Sequence, residues 1–454
     1  MVRSKSDGKS RAWPIILMLM LAAGAVALLI LFFPRLEGKA PVVAFSDFNP
    51  AIGTSSSFTV SVSDDKSGLR HVWMALLVDG REVVLADESY TAPVSEKDFN
   101  LTIEPGAMDL PDGPALLRIS VTDNAARNWL KGNLTYLEQA VTIDTRKPDV
   151  SVISRQHYVN QGGAGLVVYR VAEPGTTHGV LVGDNFFPGH QGVFSDKTLC
   201  LALFAVDHRQ GKDTPLLVSA TDAAGNTAKT GFYYLIKPKT FPKDVLTISD
   251  TFLNLKMPEF DLPEEPASLL DKFVTINSAE RKRNVEKIVS LCRTSDSALH
   301  WKGDFIRLPN AAPRAGFADQ REYVYNGKTV SHSVHMGIDL ASLANAEVPA
   351  ANAGRVVFAD WIGIFGKTVV IDHGCGLFSM YSHLSTMDVT PGKMVERGTP
   401  IGRTGMTGMA AGDHLHFGMM VHGTFVNPLE WWDAAWITNN ITSKIEAVAD
   451  LPRL

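Results

Sequence analysis

His335-Met336-Gly337-Ile338-Asp339, Tyr381-Ser382-His383-Leu384 and Gly412-Asp413-His414-Leu415-His416-Phe417-Gly418 mark the stretch on which the reading of this chain turns. In a strand, alternate residues share a face and lie roughly 6.5 to 7 Å apart. His414 and His416 therefore point one way, and Leu415 and Phe417 point into a core. Imidazoles so spaced are not obvious co-ligands of one ion, because Zn–N bonds are about 2.0 to 2.1 Å. One can bind a metal while the other handles a proton. His335 and Asp339 are four apart, and Gly337 with the β-branched Ile338 favours a loop entering a strand over a helix. Two imidazoles and a carboxylate make three protein ligands and leave a position open for water, the pattern of a catalytic zinc. Such an ion acidifies its water and polarises a carbonyl. His383 follows the aromatic run Phe378-Ser379-Met380-Tyr381 and reads as a proton carrier or oxyanion partner.

Around this stretch, residues 301–436 are short apolar runs broken by glycines, a β pattern. The other histidines read as structural: His332 on a loop, His373 at a strand end, His422 after the strand of His416. Asp413 is expected to face away from the metal, and Trp431 and Trp432 to close a core. Upstream, residues 237–300 hold Pro238, Pro242, Pro258, Pro263 and Pro266, which read as an extended connector. A helix follows, capped by Asn277 with Glu280 three residues on, and Val285, Ile288, Val289 and Cys292 form its apolar stripe.

Before that, residues 40–146 and 147–236 read as two β modules. Phe58-Thr59-Val60-Ser61-Val62 and Leu117-Arg118-Ile119-Ser120-Val121 alternate as half-buried strands do. Val121-Thr122-Asp123-Asn124-Ala125-Ala126-Arg127-Asn128 is echoed by Ala220-Thr221-Asp222-Ala223-Ala224-Gly225-Asn226, as in the closing hairpins of two immunoglobulin-like sandwiches. At the front, residues 1–12 are basic, and nineteen residues from Ile15 to Phe33 carry no charge. A helix of that length is roughly 28 Å, about a bilayer core. Residues 13–34 are therefore expected to be an uncleaved signal anchor, with 1–12 a cytoplasmic tail and the bulk exported. Residues 437–454 are left as a tail.

The 45% hydrophobic content of 454 residues allows sizeable cores. A net charge of −5 leaves no basic footprint for nucleic acid. Cys200, Cys292 and Cys375 are far apart with no Cys-x-x-Cys, which argues against a disulfide framework and a thiolate zinc site; three buried free thiols are expected.

Together His335-x-Gly337-x-Asp339, Tyr381-Ser382-His383-Leu384 and His414-Leu415-His416-Phe417-Gly418 resemble the signatures of the lysostaphin/LytM-type zinc metallopeptidases. Val348-Pro349-Ala350, Gly354-Arg355-Val356-Val357, Val370 to Gly374, Val395-x-x-Gly398, Ile401-Gly402 and Thr404 to Gly408 fall in the family's order. The resemblance covers about residues 300–432. It implies one Zn2+ per chain, held by His335, Asp339 and His416, with His383 and His414 as the catalytic pair. It also implies hydrolysis of peptide cross-links in bacterial peptidoglycan, whose stem peptides would be the partner. The chain departs in two places. Phe317-Ala318-Asp319-Gln320-Arg321 stands where the family often has Phe-Gly-x-Arg, and Thr329 stands where some members place a tyrosine, leaving Tyr323 or Tyr325 to substitute.

The expected architecture is thus mainly β: an N-terminal transmembrane helix, two immunoglobulin-like β-sandwich modules, a helical connector and a C-terminal LytM-type β-sheet peptidase domain (the duplicated hybrid motif). The expected location is the inner (cytoplasmic) membrane, single-pass, with the bulk in the periplasm or cell-wall space. A protein regulator is a further expected partner, because the loop before His335 can cover the cleft. Two other readings stay open: an exported scaffold or activator of another wall hydrolase, and a periplasmic protease acting on proteins.

Overall fold

A computed structural model describes residues 12–129, 131–264 and 266–449. The basic segment at residues 1–11 lies outside the described residues. The chain forms two compact units: one runs to Lys147 and takes in Ala223–Asn226, the other holds Pro148–Asp222 and Thr227 onward.

In the first unit a helix, Ala12–Phe32, covers the expected anchor. Its described side chains, Leu17, Met18, Leu19, Met20 and Leu21 among them, are exposed. Among the described residues no helix is long and apolar enough to cross a membrane, so the anchor gains no support from the structure. Two sheets follow. Val42–Ser46, Ser56–Ser63 and Glu96–Ile103 form one of three strands; Ala51–Ile52, Leu134–Ile143, Gly113–Asp123, Leu69–Val78 and Arg81–Val94 form one of five. The alternation read from the sequence is the reason they pack. Phe58, Val60 and Val62 from the first sheet and Leu117, Ile119 and Val121 from the second are buried in one core.

The second unit begins with two four-stranded sheets built from strands between Val150 and Gly231. Leu216–Thr221 pairs antiparallel with Thr227–Gly231, and Gly113–Asp123 pairs likewise with Leu134–Ile143 in the first unit. Both echoed stretches thus lie at hairpins, as expected. The central sheet of the C-terminal part has eight strands, and Ile338–Ala341, Leu415–Val421, Leu377–Leu384 and Gly366–Gly374 lie side by side at its heart. Buried residues from the β module, such as Leu203 and Phe204, and from the C-terminal part, such as Met420 and Trp431, belong to one core.

Two expectations are corrected. The proline-rich segment is not an extended connector. Lys243–Thr247 pairs in parallel with Gln320–Tyr325, and Asp250–Lys256 and Leu269–Thr275 are helical. Leu253, Met257, Phe260 and Phe273 are buried, so apolar residues between the prolines fold the segment back onto the domain. Asn277 is not a helix cap either. The helical run starts at Ser268, whose hydroxyl accepts the Asp271 amide and donates to its carboxylate, and continues through a wide turn at Ile276–Glu280 into Arg281–Leu291. Phe273 and Ile276 extend the apolar stripe back past Asn277, which is buried and donates to Ser331. The stretch left as a tail is helical over Ser443–Ala449, and Ile437, Ile441 and Val448 are buried at helical spacing. The three cysteines are free and buried, as read from the sequence.

Glu430 pins this unit together. Its two oxygens accept from Asn160 Nδ2 at 2.7 Å and from the Ala164 amide at 2.9 Å. Burial pushes its pKa up from 4.5 to about 7. A carboxyl with a raised pKa binds its proton more tightly when folded, so its stabilising share is full at low pH and is lost as pH rises through the window from 4.5 to about 7. The shift corresponds to about 3 kcal/mol. Thermal unfolding followed across this window should show stability falling as pH rises, and Glu430→Gln should flatten that slope. Identical pH profiles for the two proteins would show that Glu430 does not titrate there.

Candidate metal centre and active site

Register brings the site together. Ile338–Ala341 pairs antiparallel with Leu415–Val421, and Asp339 lies opposite His416. On the other side of the same strand, Ser382 lies opposite His416, so His383 follows at the strand's end. His383 has a φ of 63°, a left-handed conformation rare for a residue with a side chain. His414 precedes the strand and is held in an isolated bridge to Gly405. Gly337 is needed for room: a Cβ there would come within 2.6 Å of the His416 ring.

His335 Nε2, Asp339 Oδ1 and His416 Nδ1 form a triangle whose three edges are each 2.9 Å. All three residues are buried. His335 Nδ1 lies 2.8 Å from the Gly316 carbonyl. A carbonyl can only accept, so Nδ1 carries the proton and Nε2 offers a lone pair. The triangle therefore gathers three acceptor atoms with at most one proton among them, which calls for a cation. Tetrahedral zinc at about 2.05 Å from its ligands would space them about 3.3 Å apart, so a small opening of the triangle suffices. The residues fit a zinc ion.

The other two imidazoles are held by the same device. His383 Nδ1 lies 2.8 Å from the Thr407 carbonyl, and His414 Nδ1 lies 2.8 Å from the Gly412 carbonyl. Nε2 is thus the nitrogen each ring has left for other partners. His414 Nε2 is 3.6 Å from Asp339 Oδ1, and the rings of His383 and His414 lie 4.9 Å apart. Burial opposes the charge on Asp339, yet the surrounding histidines hold its carboxyl well below the usual range. Burial pushes His416 down to about 4, and burial with its two histidine neighbours pushes His383 down as well. Burial acts the same way on His414, but the Asp339 carboxylate outweighs it and the pKa rises. One imidazole of the pair is thus disposed to be neutral and the other to hold a proton.

A pocket of about 520 Å3 opens onto these groups. Leu246, Phe252 and Leu255, from the segment read as a connector, line one side. Sequence reasoning did not assign Arg321 to the site. Its Nη2 lies 3.0 Å from Asp339 Oδ2, on the carboxylate oxygen that the triangle leaves over. Arg281, also unassigned, lines the pocket too. The only signal for Arg321 is its place at the end of the departing Phe317–Arg321 motif; for Arg281 there is none. Of the two tyrosines considered, Tyr323 lines the pocket and hydrogen-bonds Ser333, while Tyr325 bonds Asp250 instead. His373 is fully buried between the Ala353 carbonyl and Ser379, and His422 stacks on His190, so neither joins the site. Asp413 bonds Thr404 and the Asn345 amide, away from the triangle. Trp431 is fully buried beside Phe305, and Trp432 packs on Phe417.

The comparisons agree with this geometry. Residues 333–428 match peptidase family M23. The murein hydrolase activator EnvC of Escherichia coli is 35% identical over 95 residues, 21% of this chain and 23% of its own length. The DD-carboxypeptidase/endopeptidase Mpg of Neisseria meningitidis is 36% identical over 133 residues, 29% of this chain and 30% of its own. Each match thus spans under a third of the relative. The solved catalytic domain of lysostaphin from Staphylococcus simulans is 27% identical, aligned over 29% of this chain and 98% of that one, with a TM-score of 0.25. The chain carries a lysostaphin/LytM-type peptidase family M23 domain at residues 333–428.

Binding to the folded state alone stabilises it, by about 2.7 kcal/mol at a hundred times the dissociation constant. Added zinc should therefore raise the thermal midpoint of the metal-free protein, and His416→Ala should abolish the rise. A rise of equal size in His416→Ala would place the ion elsewhere.

Proposed function

We propose that this protein is a zinc metalloendopeptidase that hydrolyses peptide cross-links of bacterial peptidoglycan. The observation that carries the reading is the complete set: a triangle of His335, Asp339 and His416, flanked by His383 and His414, whose Nδ1 atoms are both tied to backbone carbonyls. Zinc, when bound by the triangle, supplies Lewis-acid polarisation of the scissile carbonyl and an acidified water. The remaining work falls to the two flanking histidines. His383, pushed toward its neutral form, accepts a proton from the attacking water at Nε2. His414, whose proton affinity Asp339 raises, donates to the developing oxyanion and then to the leaving amine. The Nδ1–H bonds to Thr407 and Gly412 keep both rings aimed throughout. The substrate class is supported by the names of relatives, which include a DD-carboxypeptidase/endopeptidase. With this substrate the bulk of the chain would work outside the cytoplasmic membrane.

A second reading is favoured by one finding: EnvC, at 35% identity, is a hydrolase activator. An activator need not keep five metal-site and proton-handling residues, and here all five are present and oriented.

Digestion of purified peptidoglycan by the zinc-loaded protein, with products read by mass spectrometry, should give new peptide termini. His383→Ala and His414→Ala should each keep zinc and lose about 10²- to 10⁴-fold in rate. His416→Ala should lose both zinc and cleavage. A zinc-loaded protein that cuts no peptide bond yet stimulates a separate wall hydrolase would overturn the peptidase reading in favour of the activator.

A further inference from the structure

The charges in the pocket do not balance. Its lining holds one carboxylate, Asp339, against two guanidinium groups, Arg281 and Arg321. Asp339 is fully engaged: Oδ1 faces His335, His416 and His414, and Oδ2 accepts from Arg321. A zinc ion in the triangle would add two further positive charges. Arg321 spends one amino group on Asp339, and its Nε is buried with no partner. Arg281 is held from behind: Nε and Nη2 both donate to Asn277 Oδ1, at 3.1 and 2.8 Å, and Asn277 in turn donates to Ser331. Among the described residues its Nη1 makes no hydrogen bond and no carboxylate lies within ion-pair distance of it. Burial disfavours the charge on Arg281 and outweighs the help of Tyr323 and Asp339, while the neighbouring Arg321 disfavours it further. Arginine does not give up its proton, so an unpaired guanidinium in a pocket is a standing cost that an anionic ligand removes. The planar fork suits a carboxylate.

We propose that Arg281 and Arg321 form a carboxylate-recognition site beside the His335–Asp339–His416 triangle, selecting peptides with a free carboxylate near the bond presented to the metal. This rests on the peptidase reading and adds the feature of the substrate that the pocket selects. Phe252, Leu255 and Phe365, also in the lining, take the apolar part of such a peptide. The carboxylate can come from a peptide terminus or from the side chain of a diamino acid, and the two are separable by synthesis.

The test uses the full zinc-loaded protein and three synthetic stem pentapeptides containing diaminopimelate. One is unmodified, one is amidated at its C-terminus, and one is amidated at the diaminopimelate side-chain carboxylate. Binding is measured by calorimetry and cleavage by mass spectrometry. One of the two amides should bind about tenfold or more weakly than the parent, which identifies the carboxylate. Arg281→Met should bring parent and amide to within about twofold, and Arg281→Lys should fall between, each with zinc content unchanged. Equal binding of all three peptides by the unaltered protein overturns the proposal without any variant, and cleavage without discrimination overturns it while sparing the peptidase reading. Discrimination without cleavage of any peptide or of whole peptidoglycan supports the carboxylate site and sinks the peptidase reading. A preference that survives in both Arg281→Met and Arg321→Met overturns the assignment to these arginines.

Discussion

Three hydrogen bonds of one kind set the chemistry of this site. His335, His383 and His414 each donate Nδ1–H to a backbone carbonyl, of Gly316, Thr407 and Gly412, at 2.8 Å. A neutral imidazole has one donor and one acceptor, and fixing the donor fixes which nitrogen keeps a lone pair. The backbone thus decides, before any ligand arrives, that Nε2 is the nitrogen each of the three rings has left for other partners. Each carbonyl belongs to a turn rather than a strand, so the turns have a purpose beyond connection. The Gly316 segment is itself tied: Asp319 accepts the Gly316 amide at 2.6 Å, the Ala318 amide donates to the His335 carbonyl, and the His335 amide donates to the Asp319 carbonyl.

Asp339 is the counterpart of these bonds. It is nearly buried, yet its environment favours its charge, because three imidazoles and Arg321 converge on its two oxygens. The single carboxylate does two things at once. Through Oδ1 it completes the metal triangle, and through the same atom it raises the proton affinity of His414. The sheet makes this sharing possible, since Asp339 and His416 are cross-strand partners and need no loop to meet.

Much of this was legible in the sequence, and for reasons that can be named. The period-two pattern of His414-Leu415-His416-Phe417 places both imidazoles on one face whatever the surrounding fold, and the structure has Leu415 and Phe417 buried in the core. The alternation at Phe58–Val62 and Leu117–Val121 likewise carried through to buried faces. Local pattern failed where long-range packing decides. The prolines at 238–266 read as a spacer, because nothing local announces that Lys243–Thr247 will pair in parallel with a strand some seventy residues later. Asn277 looked like a cap because its own three-residue context is that of a cap, yet Phe273 and Ile276 find a core that only the folded domain provides. Arg321 and Arg281 were missed because an arginine carries no spacing signature: its side chain is long, and its partner can lie anywhere within reach.

The failures share a location, and that location matters. The triangle of His335, Asp339 and His416 and the two flanking histidines lie between His335 and His416, inside the matched family domain at 333–428. Part of the pocket wall, Ile364, Phe365, Met409 and Ala411, lies inside it as well, but much of the rest does not. Leu246, Phe252, Leu255, Arg281, Arg321 and Tyr323 all lie outside that match and all line the pocket. The backfolded segment is anchored there by Lys256, which is almost fully buried and bonds the Met406 carbonyl at 2.5 Å and Glu259 at 2.7 Å. A conserved centre needs a fixed set of atoms at fixed separations, which a strand register can supply again and again. A substrate preference needs only a wall with the right charge and shape, which any neighbouring segment can supply once it folds back. In this chain the candidate metal centre is written in short motifs, while part of the pocket wall is written in the contacts of a segment whose sequence resembles a linker.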